Sequence, residues 1–279
     1  RLRLTPVFGN DERTGSFIRL LLYLDARDLS FTGEAGGWQK GVLDVMAITV
    51  DGDGRVVDQV NRTETVRVRG DTHQRLLRDG LVYSFNVPVK RAGNYQLRVA
   101  VRDAASERVG SASQFVAVPD LGSGRLSLST LVVEGSVPAR ADAAPPARLP
   151  AAAQDDARMG GTVEAINAQA SSAVRHFRRG MALDYGYVIY NARLDGETGK
   201  PQLTTQVRLF RGDQQVFAGQ PTRFNVGQQT DMKRLMASGR LQLGTTLQPG
   251  EYTLQVMVTD TLAAEKHRTA TQWIDLEVQ

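Results

Sequence analysis

One twelve-residue pattern occurs twice in this chain. It runs Ala92-Gly93-Asn94-Tyr95-Gln96-Leu97-Arg98-Val99-Ala100-Val101-Arg102-Asp103 and again Pro249-Gly250-Glu251-Tyr252-Thr253-Leu254-Gln255-Val256-Met257-Val258-Thr259-Asp260, with the two tyrosines 157 residues apart. Gly, Tyr, Leu, Val, Val and Asp coincide, and apolar residues fall on alternate positions. A side-chain period of two marks a strand with one buried face. A Gly two residues ahead of Tyr, just before such a strand, matches the tyrosine corner of immunoglobulin-like sandwiches. The chain is therefore expected to be all-β: two tandem immunoglobulin/fibronectin-III-like antiparallel β-sandwich domains. Gly93, Tyr95, Gly250 and Tyr252 are read as structural, each hydroxyl bonding nearby backbone.

The repeat extends outside that pattern. Arg75-Leu76-Leu77 followed by Gly80 matches Arg234-Leu235-Met236 followed by Gly239, and a short turn or single helical turn is expected there before strands at 81–87 and 240–243. Ser113-Gln114-Phe115-Val116 corresponds to Thr271-Gln272-Trp273-Ile274 in the final strands, and Asp25-Ala26-Arg27 corresponds loosely to Asn191-Ala192-Arg193. Each copy has a central hairpin. One turns at Asp51-Gly52-Asp53-Gly54 and the other at Arg211-Gly212-Asp213, where Gly beside Asp supplies the positive φ of tight turns. Strands spaced by roughly ten residues favour a sandwich over α/β.

The expected organisation is an N-terminal extended arm at 1–15, a first sandwich at 16–120 and a second at 121–279, interrupted by an Ala/Pro-rich insertion at 134–172. Leu126, Leu128 and Leu131 are read as the second domain's opening strand. The composition of the insertion, from Pro138 to Arg158 above all, suits an exposed, partly extended spacer. The chain opens at Arg1 without Met or an apolar leader, which reads as a mature or trimmed piece of something longer.

A hydrophobic content of 41% supports real cores. The absence of Cys excludes disulfides, thiolate metal sites and Cys nucleophiles. No apolar run reaches the length of a membrane-spanning helix. The net charge of +4 is spread along the chain, and aromatics at 6% are too few to interleave with a basic face, so nucleic acid is not an expected partner.

Phe17-Ile18-Arg19, Asp25-Ala26-Arg27-Asp28-Leu29, Asp58-Gln59-Val60-Asn61-Arg62-Thr63 and the stretch from Tyr95 to Phe115 carry a resemblance. Tyr190-Asn191-Ala192-Arg193, Thr205-Gln206-Val207-Arg208-Leu209-Phe210 and Arg268-Thr269-Ala270-Thr271-Gln272-Trp273-Ile274-Asp275 extend it over most of the chain. The chain resembles the C-terminal region of VWFA-related acidobacterial domain proteins; the Ala/Pro-rich interruption has no counterpart. The resemblance implies an exported or surface protein with an upstream von Willebrand A-type domain. That domain's metal motif, Asp-x-Ser-x-Ser, is absent from this sequence, so no metal site carries over.

Candidate chemistry is thin, and no catalytic, cofactor or metal residue is assigned. His73, His176 and His267 are far apart in polar or basic surroundings. There is no His-Glu-x-x-His zinc motif, P-loop or Gly-x-Ser-x-Gly elbow, and Gly110-Ser111-Ala112-Ser113-Gln114 matches the elbow only superficially. Asp51 and Asp53 lack the further ligands of a Ca²⁺ loop and read as a turn. Arg211-Gly212-Asp213, the tripeptide that integrins read, is likewise explained by turn geometry. Asn61-Arg62-Thr63 matches a glycosylation sequon, a pattern short enough to arise by chance. Trp273, equivalent to Phe115, is expected in the core, whereas Trp38 after Gly36-Gly37 is the candidate ligand contact.

These features point to a non-catalytic extracellular or cell-surface protein working through protein–protein contacts, as a self-assembling fibre subunit or an adhesion module. Protein partners are expected, identical subunits in a homo-oligomer or filament among them. Arg1, Leu2, Arg3 and Leu4 alternate like a strand and are expected to form an assembly arm that adds to a neighbour's sheet. The alternative is a carbohydrate- or cell-wall-binding accessory module built around Trp38.

Overall fold

The structure, a computed structural model, describes residues 1–136, the backbone of 162–164, and residues 168–279. The chain divides into unit 1, Arg1–Val118 with Asp155–Val174, and unit 2, Pro119–Gln154 with Arg175–Gln279. In chain order unit 1 lays down β1 (Leu2–Asp11), β2 (Gly15–Leu24), β3 (Thr32–Glu34), β4 (Trp38–Val50), β5 (Val56–Arg69), the helix α1 (Gly70–Asp79), β6 (Leu81–Pro88), β7 (Gly93–Asp103) and β8 (Val109–Val118). Unit 2 begins with β9 (Ser127–Leu128) and β10 (Val132–Ser136), and the chain then supplies unit 1 with β11 (Thr162–Glu164). Unit 2 is completed by β12 (His176–Phe177), β13 (Ala182–Tyr190), β14 (Leu203–Arg211), β15 (Gln214–Ala218), β16 (Thr222–Arg223), β17 (Arg234–Gln242), β18 (Gly250–Asp260) and β19 (Thr269–Val278).

Both units are all-β sandwiches of one topology. In unit 1 one sheet runs β1-β2-β6-β11, and the other runs β5-β4-β7-β8 with β3 also on β4. In unit 2 the orders are β10-β13-β17, with β9 on β13, and β15-β14-β18-β19-β12, with β16 on β14. Seven strands therefore correspond one to one, and every pairing among them is antiparallel. The core follows from the period of two. Leu97, Val99 and Val101 of β7 are buried, as are Leu254, Val256 and Val258 of β18, while residues between them face outward or sideways. Each such Leu or Val contributes on the order of 1.5–3 kcal/mol of transfer free energy.

Several expectations are corrected here. Residues 1–15 are not an extended arm: β1 pairs with β2 over its whole length, and Leu4 and Phe8 are each 2% exposed. Arg1, Leu2, Arg3 and Leu4 are committed to unit 1, with Leu2 opposite Leu24 and the Arg3 Nη1 donating to the Val174 carbonyl at 2.7 Å. The alternation read as an arm is the alternation of a sandwich's own first strand.

The second correction concerns 134–172. Residues 134–136 belong to β10, and the Pro138 to Arg158 stretch lies outside the described residues. The end of this insertion is part of unit 1, not of the second domain. β11 pairs antiparallel with β6, and Ala168, Ala170, Ser171, Ser172, Ala173 and Val174 are buried. Thr5 Oγ1 donates to the Ala173 carbonyl at 3.3 Å, and Gln169 Nε2 donates to Tyr23 Oη at 3.1 Å and the Asp79 carbonyl at 3.2 Å. Small side chains let this backbone lie close to β1 and β2.

The third correction is to the repeat itself. Arg75-Leu76-Leu77 lies in the ten-residue helix α1, whereas Arg234-Leu235-Met236 lies in strand β17 together with Gly239. The match joins a helix to a strand. Both glycines are required, for a similar reason: an added Cβ would lie 2.2 Å from the Tyr23 ring at Gly80 and 2.2 Å from the Tyr185 hydroxyl at Gly239.

Candidate functional site

The repeated motif is a built scaffold in both units. Tyr95 Oη donates to the Arg91 carbonyl at 2.7 Å and Tyr252 Oη to the Gln248 carbonyl at 2.6 Å, each four residues back along the chain. Gly93 and Gly250 precede them at φ 146° and 138°, a region that side chains disfavour. The motif ends on Asp103 and Asp260, 3% and 0% exposed. Asp103 accepts from the Ser30 N–H at 2.7 Å and the Ala105 N–H at 3.0 Å; Asp260 accepts from the Arg193 N–H at 2.8 Å and the Leu262 N–H at 2.9 Å. Each carboxylate thus ties a distant loop to the end of a strand. Burial pushes the Asp103 carboxyl upward, but the Ala105, Ser30 and Ser106 hydrogen bonds outweigh it and leave the group below the usual carboxylate range.

Trp38 is half-buried at the start of β4, and its ring is covered. The Arg67 guanidinium sits 5.2 Å and that of Arg69 4.8 Å from the ring centroid, Arg69 being its cross-strand partner. Arg67 is also salt-bridged to Glu34 at 2.8 Å. A ring stacked by guanidinium groups is a poor sugar platform.

The remaining candidates are absorbed by local structure. Asp51 Oδ1 accepts from the Asp53 N–H at 3.0 Å and the Arg55 N–H at 2.9 Å, which closes the hairpin turn. Arg211-Gly212-Asp213 is the tight turn between β14 and β15. Ser111 and Ser113 lie exposed on β8. His73 packs edge-on against Phe31 at 5.1 Å, and His176 Nε2 lies 3.2 Å from Glu277. Among the described residues no group of three or more His, Cys, Asp or Glu is placed to hold a metal ion. No helix among them is long and apolar enough to cross a membrane. A cleft of about 640 Å³ beside the first tyrosine corner has Asp51, Asp53 and Asp58 along with Lys90 and Arg91 in its walls, a mixed charge that selects no ligand class.

Two surface features were missed in the sequence. The first is the outer row of the larger sheets: Phe115 is 75% and Trp273 52% exposed, which corrects the core assignment of Trp273. The inward row of β19 is Ile274, Leu276 and Val278, so the same alternation that buries them turns Trp273 out. Trp273 lies opposite Gln255, which is buried with its Oε1 unpartnered, and its ring is 5.9 Å from that of Phe210.

The second feature is the open edge of unit 1. β5 is fourteen residues long, and among the described residues it pairs with β4 alone. Only Val66 on it is buried; Val56 is 60% and Val57 51% exposed. Along the strand, more and less exposed residues alternate from Asp58 to Arg69.

No family model and no curated protein matches this chain. Among solved structures it is similar to a glycosyl hydrolase family 2 member from Bacteroides cellulosilyticus, at 10% identity and a TM-score of 0.33. That match takes in 94% of this chain, which spans 28% of the hydrolase's length. It is also similar to the C-terminal domain of the Streptococcus pyogenes antigen I/II-family protein AspA, at 8% identity and a TM-score of 0.22, over 100% of this chain and 99% of that one.

Proposed function

We propose that this chain is a non-catalytic, extracellular or cell-surface β-sandwich protein that works through protein–protein contacts made by strand pairing. The observation that carries the reading is β5, a long edge strand that pairs with β4 without a break from Asp58 to Arg69 and has its outer side unpaired among the described residues. Unpaired edge N–H and C=O groups form a template for another strand, and natural sheets usually shorten, kink or cover such edges. Strand addition takes its affinity from main-chain hydrogen bonds and its specificity from alternate side chains. The resemblance to VWFA-related acidobacterial proteins belongs to the same reading, as does a surface location.

The test is a pair of gatekeepers, Thr63→Lys with Thr65→Lys, at exposed positions that leave the core untouched. The full chain is followed by sedimentation velocity, alone and with an extract of envelope proteins. The double variant should keep the wild-type circular dichroism and melting curve and lose association by at least about tenfold. Association that ignores both lysines, or no association with any protein, would remove this function.

A carbohydrate- or cell-wall-binding role is the second reading. Its support has moved from Trp38 to unit 2, where exposed Trp273, Phe210 and the unpartnered Oε1 of Gln255 share one sheet face. Trp38 is the other tryptophan of the chain, so a Trp38→Phe background reports Trp273 fluorescence alone. Quenching by cell-wall glycan fragments, weakened when the neighbouring Phe210 is replaced by Ala, is the result expected of it; an unchanged signal across a glycan panel removes it.

A further inference from the structure

Edge strands that invite pairing must also discriminate among partners, and β5 carries a specific device for this. Its inward-pointing row is Asp58, Val60, Arg62, Glu64, Val66 and Val68, and its outward row runs from Val57 through Thr63 to Arg69. Inward charges on an edge strand normally repel an incoming strand. Here the two central charges are opposite and two residues apart, so a strand presenting the same sequence in the antiparallel sense can satisfy both.

We infer that the partner of β5 is the β5 of a second copy of this chain, paired antiparallel about a two-fold axis through Thr63. This deepens the strand-pairing function proposed above and rests on it. In that register Thr63 faces Thr63 and Arg62 faces Glu64 on both sides of the axis. Val60 then faces Val66, Asn61 faces Thr65, and Gln59 faces Arg67. Residues 57–69 are engaged, nearly the whole strand. Shifting the axis to Arg62 or Glu64 sets like charges opposite each other, which is destabilising. An axis through Asn61 brings Asp58 against Glu64. An axis through Val60 matches Asp58 with Arg62 but engages only residues 56–64. Glu64 accepts from Tyr83 Oη at 2.6 Å, and Arg62 lies over the Phe85 ring at 5.3 Å. Both charges are therefore held at the rim before a partner arrives. A carboxylate has acceptor sites for a guanidinium in addition to the phenol, and a two-fold interface is self-complementary by construction.

The equivalent strand of unit 2 supports the assignment by contrast. β15 is five residues long, its pairing with β14 is broken by a bulge between Leu209 and Phe210, and Gly219 and Pro221 follow it. Those are devices that blunt an edge; β5 has a register shift only at its turn end, opposite Thr49 and Val50, and from Asp58 to Arg69 it pairs with β4 without a break and carries no Gly or Pro.

The chain has no cysteine, so single-cysteine variants report the register directly. Residues facing each other across an antiparallel pair have Cα atoms about 4.5–5.5 Å apart, within disulfide range. In the full chain, Thr63→Cys should give a disulfide-linked dimer under mild oxidation, and Val60→Cys should not. Sedimentation should show wild-type dimers, weakened at least about tenfold by Arg62→Glu alone or Glu64→Arg alone. Mixing those two variants should restore a heterodimer, because each then faces its opposite. Circular dichroism and melting of each variant separate lost pairing from lost folding. Efficient cross-linking through Val60→Cys, or no heterodimer on mixing two folded variants, overturns the register. A wild type that stays monomeric at about 200 μM, while the two lysines still abolish binding of an envelope protein, overturns self-pairing and leaves the strand-pairing function standing. If the lysines change nothing, both fall.

Discussion

Units 1 and 2 share a strand order but differ at one edge. In unit 1 the β4–β5 hairpin is built from strands of thirteen and fourteen residues; in unit 2 the equivalent β14 and β15 have nine and five. The central pairs are conserved in geometry: β4 with β7 and β14 with β18 each run through eight opposed residues. The difference lies where the core has least hold. A strand with a single buried residue can lengthen, bulge or shorten at little cost to packing, while β7 and β18 cannot. Two copies of one sandwich can therefore keep the same core and diverge in whether they invite a partner.

The largest expected effect tests how alike the cores are. Gly80→Ala and Gly239→Ala each drive a Cβ into a tyrosine, and Gly80 also sits at φ 81°. Overpacking costs about 1–3 kcal/mol, and the strained backbone adds about 1 more at Gly80. Urea unfolding with hydrogen exchange resolved by unit should assign the loss at Gly80 to unit 1 and the loss at Gly239 to unit 2. If both variants weaken the same unit, the comparison fails.

Next in size is a pair of cross-strand ion pairs, one in each unit. Arg240 grips the buried Asp184 through Nε at 2.5 Å and Nη2 at 2.9 Å, and Ser136 Oγ donates to the same carboxylate at 3.0 Å. Arg102 meets Asp44 at 2.7 Å with both side chains a third or more exposed. Arg240→Ala should destabilise unit 2 by about 2–3 kcal/mol because it strands a buried carboxylate. Arg102→Ala should cost unit 1 much less, because solvent reaches and screens both partners. Equal losses in thermal unfolding would contradict the difference in burial.

The smallest effect is a pH dependence confined to one unit. Hydrogen bonds from the Arg27 side chain hold the Asp25 carboxyl at about 2, below its ordinary 3.8; its loose counterpart in unit 2, Asn191, does not titrate. Because the folded value lies below the unfolded one, the Asp25 contribution is complete above about pH 4 and is lost as pH falls toward 2. Asp25→Asn should flatten the acid limb of unit 1 between those values and leave unit 2 unchanged. An identical acid limb in the variant would show that Asp25 is not the group.

The fold class was legible because a strand with one buried face must alternate, and Tyr95 and Tyr252 announced the same corner twice. The sites were less legible. Trp273 reads as a core residue until the register with Gln255 turns it outward, and Trp38 reads as an open ring until Arg67 and Arg69 cover it. Alternation gives a residue's parity, but it does not say which parity faces the core or what a neighbouring strand lays over the other.

Length and a repeated period of two were sufficient to point to two antiparallel sandwiches, and the absence of Cys excluded thiol chemistry. The tertiary structure alone decided that Leu2–Asp11 closes its own sheet and that the segment from Ala168 to Val174, buried apart from Gln169, belongs to unit 1. It also decided that the outer edge of β5 is unpaired among the described residues. These outcomes depend on contacts between residues far apart in the chain. In the small-residue segment, burial comes from the close approach of backbone to sheet, which leaves no hydrophobic period to read.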